Sequence, residues 1–228
     1  MLWTAGSLIV LSVVSVALLR VVPPWTSAFM IAARIEAWRD GDRDFHVDYR
    51  WTPYASISPH VKLAVISSED QKFAFHDGFD FDAIDQALKE RERGKRVRGA
   101  STITQQVAKN LFLWSGQSFV RKGIEAYFAF LIELLWPKQR ILEVYLNVAE
   151  FGPGIYGVGA AVPRMFHKEP ARLNAAESAL LAAVLPSPKR LHADHPSAYV
   201  LRRQSWILGQ MEMLGGSRYI HGIERTTR

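Results

Sequence analysis

From Leu2 to Leu19 ("LWTAGSLIVLSVVSVALL") the chain carries no charged side chain. At about 1.5 Å per residue such a helix is roughly 27 Å long, close to the hydrocarbon thickness of a bilayer, which predicts a membrane anchor over residues 1–22. No basic leader or small-residue cleavage site accompanies it, so a retained anchor is expected over a cleaved signal peptide. Pro23 and Pro24 stop the helix, because proline lacks an amide donor and restricts the residue before it. The next stretch, "WTSAFMIAARIEAW" (25–38), is apolar on most sides with tryptophan at both ends. That pattern predicts a helix lying at a membrane interface or packed on it, with a buried first helix of the soluble domain as the alternative.

Beyond a polar stretch the apolar positions recur at helical spacing with little strict alternation, so the fold class expected is mostly α. In "FDFDAIDQALKE" Phe81, Ile84 and Leu88 share a face behind Asp80 as N-cap. "RERGKRVRGA" reads as a charged, glycine-punctuated mobile loop. "STITQQVAKNLF" reads as a helix opened by Ser101, with Ile103, Val107 and Leu111 turned inward. "SFVRKGIEAYFAFLIELLW" is a long helix capped by Ser118 and stopped before Pro137. Its last third is apolar nearly all round, which predicts the central core helix. "PKQRILEVYLNVAE" opens on Pro137, where proline suits a first turn. "FGPGIYGVGAA" reads as a glycine-rich turn into a helix that Pro163 should kink or delay. Asn174 and Glu177 have capping-box spacing, and a last helix is expected over 197–214. The chain thus divides into anchor 1–22, membrane-proximal segment 23–58 and catalytic domain 59–228.

Composition narrows the function. The 228 residues are 49% hydrophobic and 22% charged, which describes a folded chain. There is no cysteine, which excludes disulfides, thiolate catalysis and cysteine metal sites. A net charge of +6 points to an anionic partner: nucleic acid, phospholipid head groups or a phosphorylated substrate.

Three polar clusters interrupt the apolar pattern. In "SSEDQKFAFHDGFD" Glu69 and Asp70 end a hydrophobic run and are followed by Phe73 and His76. A carboxylate held beside such aromatics has its pKa raised by burial and is ready to take a proton. In "STITQQVAKN" Thr102, Gln106 and Lys109 form a polar stripe with Gln105 beside it, suited to sugar hydroxyls and amides. In "RKGIE" Arg121 and Lys122 lie four and three residues before Glu125, so all three share a helix face. Two neighbouring cations favour a carboxylate that stays charged and makes a poor general acid. The contrast separates two enzyme classes. A glycosidase must protonate its leaving group and needs one carboxyl with a raised pKa beside a second carboxylate. Transfer from a lipid pyrophosphate expels a weak base and needs positive charge around the phosphates. A base plus a cationic clamp fits transfer.

At these residues the chain also resembles a family. "EDQKFAFHDGFD", "RGASTITQQVAKNLF", "RKGIE", "RILEVYLNVAEFG" and "ALLAAVLPSP" are similar to the five ordered motifs of the bacterial peptidoglycan glycosyltransferases, in their monofunctional form without a penicillin-binding transpeptidase domain. The resemblance implies a two-lobed, lysozyme-like helical fold with a membrane-proximal jaw, set in the inner membrane with the catalytic domain outside. Arg20 follows the apolar span, so charge bias alone does not place the domain there. The implied substrates are lipid II and the growing peptidoglycan chain, with membrane phospholipid and cell-wall synthesis or cell-division proteins as partners and no role for nucleic acid. Glu69 matches the base on the acceptor hydroxyl. Glu125 matches the second glutamate near the departing pyrophosphate, with a divalent cation (Mg²⁺ or Mn²⁺) as a further expectation there. Lys109, Arg121 and Lys122 match the positive positions around the phosphates. Gly99, Ser101, Thr102, Gln105 and Gln106 match the donor-binding motif. Asp70, Phe73 and His76 belong to the motif around the base. Glu143, Tyr145 and Asn147 match a mainly architectural motif. Gln117 departs from the arginine common in the family, and Pro163 interrupts an expected helix. A peptidoglycan-cleaving muramidase or lytic transglycosylase is the rival enzyme reading, and a basic membrane-tethered binding module the non-enzymatic one.

Overall fold

The computed structural model describes residues 2–94, 101–116 and 118–226, with side chains for all of these except 2–5, 225 and 226. Its helices are α1 (Leu2–Leu19), α2 (Ala28–Arg39), α3 (Pro59–Glu69), α4 (Phe81–Glu92), α5 (Ile103–Phe112) and α6 (Phe119–Leu135). After them come α7 (Lys138–Val148), α8 (Val158–Phe166), α9 (Ala175–Ala183), α10 (Ala198–Met213) and α11 (Ser217–Thr226). The mostly helical expectation holds, and several caps form as read. Asp80 accepts from the Ala83 amide, Ser118 from Arg121, and Asn174 and Glu177 close a capping box. At α5 the cap is Thr102 rather than Ser101, because Gln105 three residues on completes a capping box with it.

The interior lies elsewhere than the apolar pattern suggested. α3 buries every residue from Val61 to Ser67, and α7 buries Arg140 to Leu142 and Val144 to Val148. α9, α10 and α11 pack on α3, and α5 packs on α7. Each fully buried aliphatic side chain in this centre contributes about 1.5–3 kcal/mol. By contrast α6 leaves Phe119, Val120, Phe130 and Leu134 exposed, so it is a peripheral helix with one inner face.

α1 packs on α6 and is bonded to the body at several points. The Ser12 and Tyr127 hydroxyls are 2.7 Å apart, and Trp136 Nε1 donates to the Val16 carbonyl at 2.7 Å. Arg140, nearly buried on α7, donates through Nε and Nη2 to the Leu19 carbonyl and through Nη2 to Val22 at 2.8 Å. A helix end leaves its last carbonyls without intrahelical donors, and one guanidinium serves the last of them together with the Val22 carbonyl just beyond the helix. Among the described residues no helix is long and apolar enough to cross a membrane. α1 therefore stands as an apolar helix of 18 residues and not as an established span.

Helical spacing also hid a small sheet. β1 (Asp48–Tyr49), β2 (Glu150–Gly152) and β3 (Ile155–Tyr156) are ordered β1-β3-β2, with β1 parallel to β3 and β2 antiparallel to it. The "FGPGIYG" turn is thus a hairpin. Gly157 succeeds it at φ +77°, where an added Cβ would lie 2.4 Å from the Asn147 carbonyl oxygen. Only glycine permits both that backbone conformation and that approach. α8 then runs from Val158 to Phe166 through Pro163 without a later start.

Candidate active site

α3 begins with Ser58 as N-cap and Pro59 at its first turn, and its buried run carries the chain to Glu69, its last residue. The residues just beyond Glu69 form a brace. Asp70, buried, accepts the Ile103 amide at 2.9 Å and so sits at the N-terminus of α5, where negative charge is favoured. His76 Nδ1 accepts from the Gly78 amide, which puts the ring hydrogen on Nε2, and that N–H donates to Asp70. Thr102 donates to the Gly78 carbonyl at 2.6 Å while Gln105 accepts its backbone amide. Phe73 is fully buried beneath Lys138 Nζ, which lies 4.8 Å from its ring centre. Asp70, Phe73, His76, Thr102 and Gln105 are therefore engaged inside the protein, locking the end of α3 to the start of α5. Ser101 is exposed, and Gly99 and Gln117 lie outside the described residues.

Glu69 points out of this brace with its side chain 15% exposed. Gln106 Nε2 donates to its Oε2 at 3.1 Å, Ser68 donates to Oε1 at 3.4 Å, and Arg203 Nη2 stands 3.6 Å from Oε1. The Gln106 amide is oriented from behind, since the buried Tyr145 hydroxyl donates to its Oε1 at 3.2 Å. Burial raises the Glu69 pKa above that of an ordinary glutamate, and Gln106, Arg203, Ser68 and Lys109 partly offset the rise.

Glu125, on α6, has a different shell. Its side chain is 3% exposed; Arg121 Nη1 donates to Oε2 at 2.7 Å and Lys122 Nζ to Oε1. Ser118 starts the helix so that all three fall on one face. Buried Arg121 Nε has no partner of its own. Both Glu125 oxygens are taken up by cations, and among the described residues no three acids or histidines gather as a metal site. The donor set does not fit a resident divalent cation.

Lys109 lies within electrostatic reach of Glu69 and Glu125, and burial lowers its pKa. Its Nζ is 5.4 Å from the Phe29 ring centre on α2. Phe29, Gln106, Lys109, Tyr145 and Pro186 line a cleft of about 230 Å³. Glu143 and Asn147 pin the segment before α3: Glu143 accepts the Tyr54 amide at 2.8 Å, and the Asn147 amide exchanges hydrogen bonds with the Thr52 backbone.

Two residues here escaped the sequence reading. Tyr145 looked only architectural, yet it sets the amide that faces Glu69. Arg203 stood unremarked in the last helix, where its only signal was a paired arginine on an otherwise amphipathic face.

The transglycosylase family model matches residues 36–212. The biosynthetic peptidoglycan transglycosylase of Xanthomonas euvesicatoria pv. vesicatoria (strain 85-10) is 53% identical over 94% of this chain and 86% of its own length. That of Xylella fastidiosa (strain 9a5c) is 52% identical over 93% and 88%. That of Pseudomonas syringae pv. syringae (strain B728a) is 50% identical over 100% and 94%. With the family match covering most of its length, the chain belongs to the transglycosylase family and is a glycosyltransferase of peptidoglycan synthesis.

Proposed function

We propose that the protein polymerises glycan from lipid II, with Glu69 as general base and the Lys109–Arg121–Lys122 group as the clamp on the leaving pyrophosphate. The 4-hydroxyl of the acceptor GlcNAc gives its proton to Glu69 as its oxygen bonds to the anomeric carbon of the lipid-linked MurNAc. The bond from that carbon to the phosphate oxygen breaks on the opposite face, so configuration inverts to a β-1,4 linkage. Undecaprenyl pyrophosphate leaves with the electron pair, and the cations meet its charge. Positioned base catalysis contributes about 10²–10⁴-fold, and charge stabilisation at the leaving group adds to it. Glu125 orients Arg121 and Lys122.

One observation carries this reading: two largely enclosed glutamates have different shells, an amide, a hydroxyl and a guanidinium no nearer than 3.6 Å around Glu69, and two hydrogen-bonded cations around Glu125. A hydrolase would need a second free carboxylate beside the one with the raised pKa, and both oxygens of Glu125 are bonded to cations. The same reading makes α1 a single-pass anchor in the inner membrane with the catalytic lobe outside. It makes α2, with Trp38 79% exposed, part of a jaw resting on phospholipid. Proteins of cell-wall synthesis and cell division are the expected partners.

The deciding experiment is polymerisation of labelled lipid II in detergent by the wild type and Glu69→Gln, with products resolved by length. Long glycan from the wild type and none from the folded variant is the expected result. Digestion of cell-wall sacculi without polymer would replace the reading with a cleaving enzyme.

A further inference from the structure

Arg203 lies on α10, the helix that packs across the end of α3. Two points on one face of α10, seven residues apart, reach that end. Arg203 Nη2 stands 3.6 Å from Glu69 Oε1, and Gln210 accepts from Gln71 Nε2 at 2.8 Å. Ile207, fully buried between them, fixes the helix there. The guanidinium is largely enclosed, 21% exposed, and its Nε is buried without a hydrogen-bond partner. Such an enclosed cation on a packed helix is costly unless an anion faces it, and Glu69 is the acid paired with it.

The other groups around Glu69 do not duplicate this contact. From α5 come neutral Gln106 and Lys109, which Glu125 also attracts. From α7 comes Tyr145, whose hydroxyl is turned to Gln106. On α3 itself Ser68 donates weakly, and Asp70 is turned to Ile103 and His76. On α9, Glu177 pairs with Lys168; from α11, Glu224 pairs with Lys62 and Tyr219 donates to the Gln71 carbonyl. Arg202, beside Arg203, is exposed.

We propose that Arg203 is a positioning residue for Glu69: it holds the carboxylate's Oε1 from the α10 side, opposite Gln106 on Oε2, and keeps the group charged between turnovers. The inference rests on Glu69 being the base. A hydrogen-bond donor on one oxygen and a cation facing the other bias the orientation of the carboxylate, and the cation favours the form able to take a proton. Each turnover leaves a proton on Glu69, and the nearby guanidinium speeds its release to solvent.

The test uses the full chain in detergent labelled with [δ-¹³C]glutamate, the Glu69 resonance being identified by its absence from Glu69→Gln. In Arg203→Met the Glu69 titration midpoint moves upward, the acid limb of kcat/KM for lipid II moves with it, and the rate at pH 6 falls about tenfold. KM changes little, and Arg203→Lys recovers part of the loss. Gln210→Ala removes the other α10 contact and leaves both midpoint and limb in place. A folded Arg203→Met whose Glu69 midpoint is unmoved, or whose rate drops equally at every pH, overturns the inference while the base reading stands. Polymerisation by Glu69→Gln sinks the base reading, and the inference with it, by a measurement separate from the titration.

Discussion

Glu69 and Glu125 have the same side chain and are both largely enclosed, yet they are held in different ways. Glu69 is met by a neutral amide at 3.1 Å and by a cation only at 3.6 Å. Glu125 carries a guanidinium at 2.7 Å on one oxygen and an ammonium on the other. A carboxylate whose lone pairs are held loosely in an enclosed site can take a proton; one with both oxygens bonded to cations is a scaffold for those cations. Chemistry is assigned by the shell, and the shell is assigned by which helix end or helix face the acid occupies.

The largest effect should come from breaking the first shell. Glu69→Gln keeps an acceptor for Gln106 and should fold normally while losing about 10²–10⁴-fold in kcat, read by polymer yield. Stability separates the two acids next. Burial raises the Glu69 pKa, so its contribution to stability falls as pH rises through the folded value, and Glu69→Gln at neutral pH should leave Tm unchanged or higher. Glu125→Gln strands Arg121, whose side chain is only 10% exposed, and should cost about 3 kcal/mol, or roughly 6–12 °C in a thermal melt. Equal Tm changes for the two variants would erase the contrast. The pH profile sharpens it further. Activity should fall on acidification at a pH above the ordinary glutamate value, as Glu69 gains its proton. It should fall again on the alkaline side, below the ordinary lysine value, as buried Lys109 loses its charge. Lys122→Met should have the smallest effect, about tenfold or less in kcat with little change in Tm, because its side chain is 47% exposed.

The helices and the order of the motifs were legible because caps and helical periodicity are local signals. Asp80, Ser118 and the Asn174–Glu177 pair each announce a helix start within four residues. The sheet was not legible, since strands of two or three residues are too short to show alternation and depend on pairing Asp48–Tyr49 with Ile155–Tyr156. The apolar end of α6 was read as interior because hydropathy cannot distinguish a protein core from another apolar surrounding. In the site, the acids and cations were found, but not which polar residues brace the fold. Thr102, Gln105 and His76 look like substrate contacts until their partners, Gly78 and Asp70, are known. Arg203 needed the fold, since nothing local links residue 203 to residue 69.

Arg140 ties the end of α1 to α7, and five residues later the same helix carries Tyr145, whose hydroxyl sets the amide on Glu69. One rigid rod thus references both the apolar leader and the reacting carboxylate. On the proposed reading of α1 as an anchor, it is no slack tether: the thickness of the layer holding it would reach the amide on Glu69 through Arg140 and α7, and with it the height and angle at which the chain meets its next sugar.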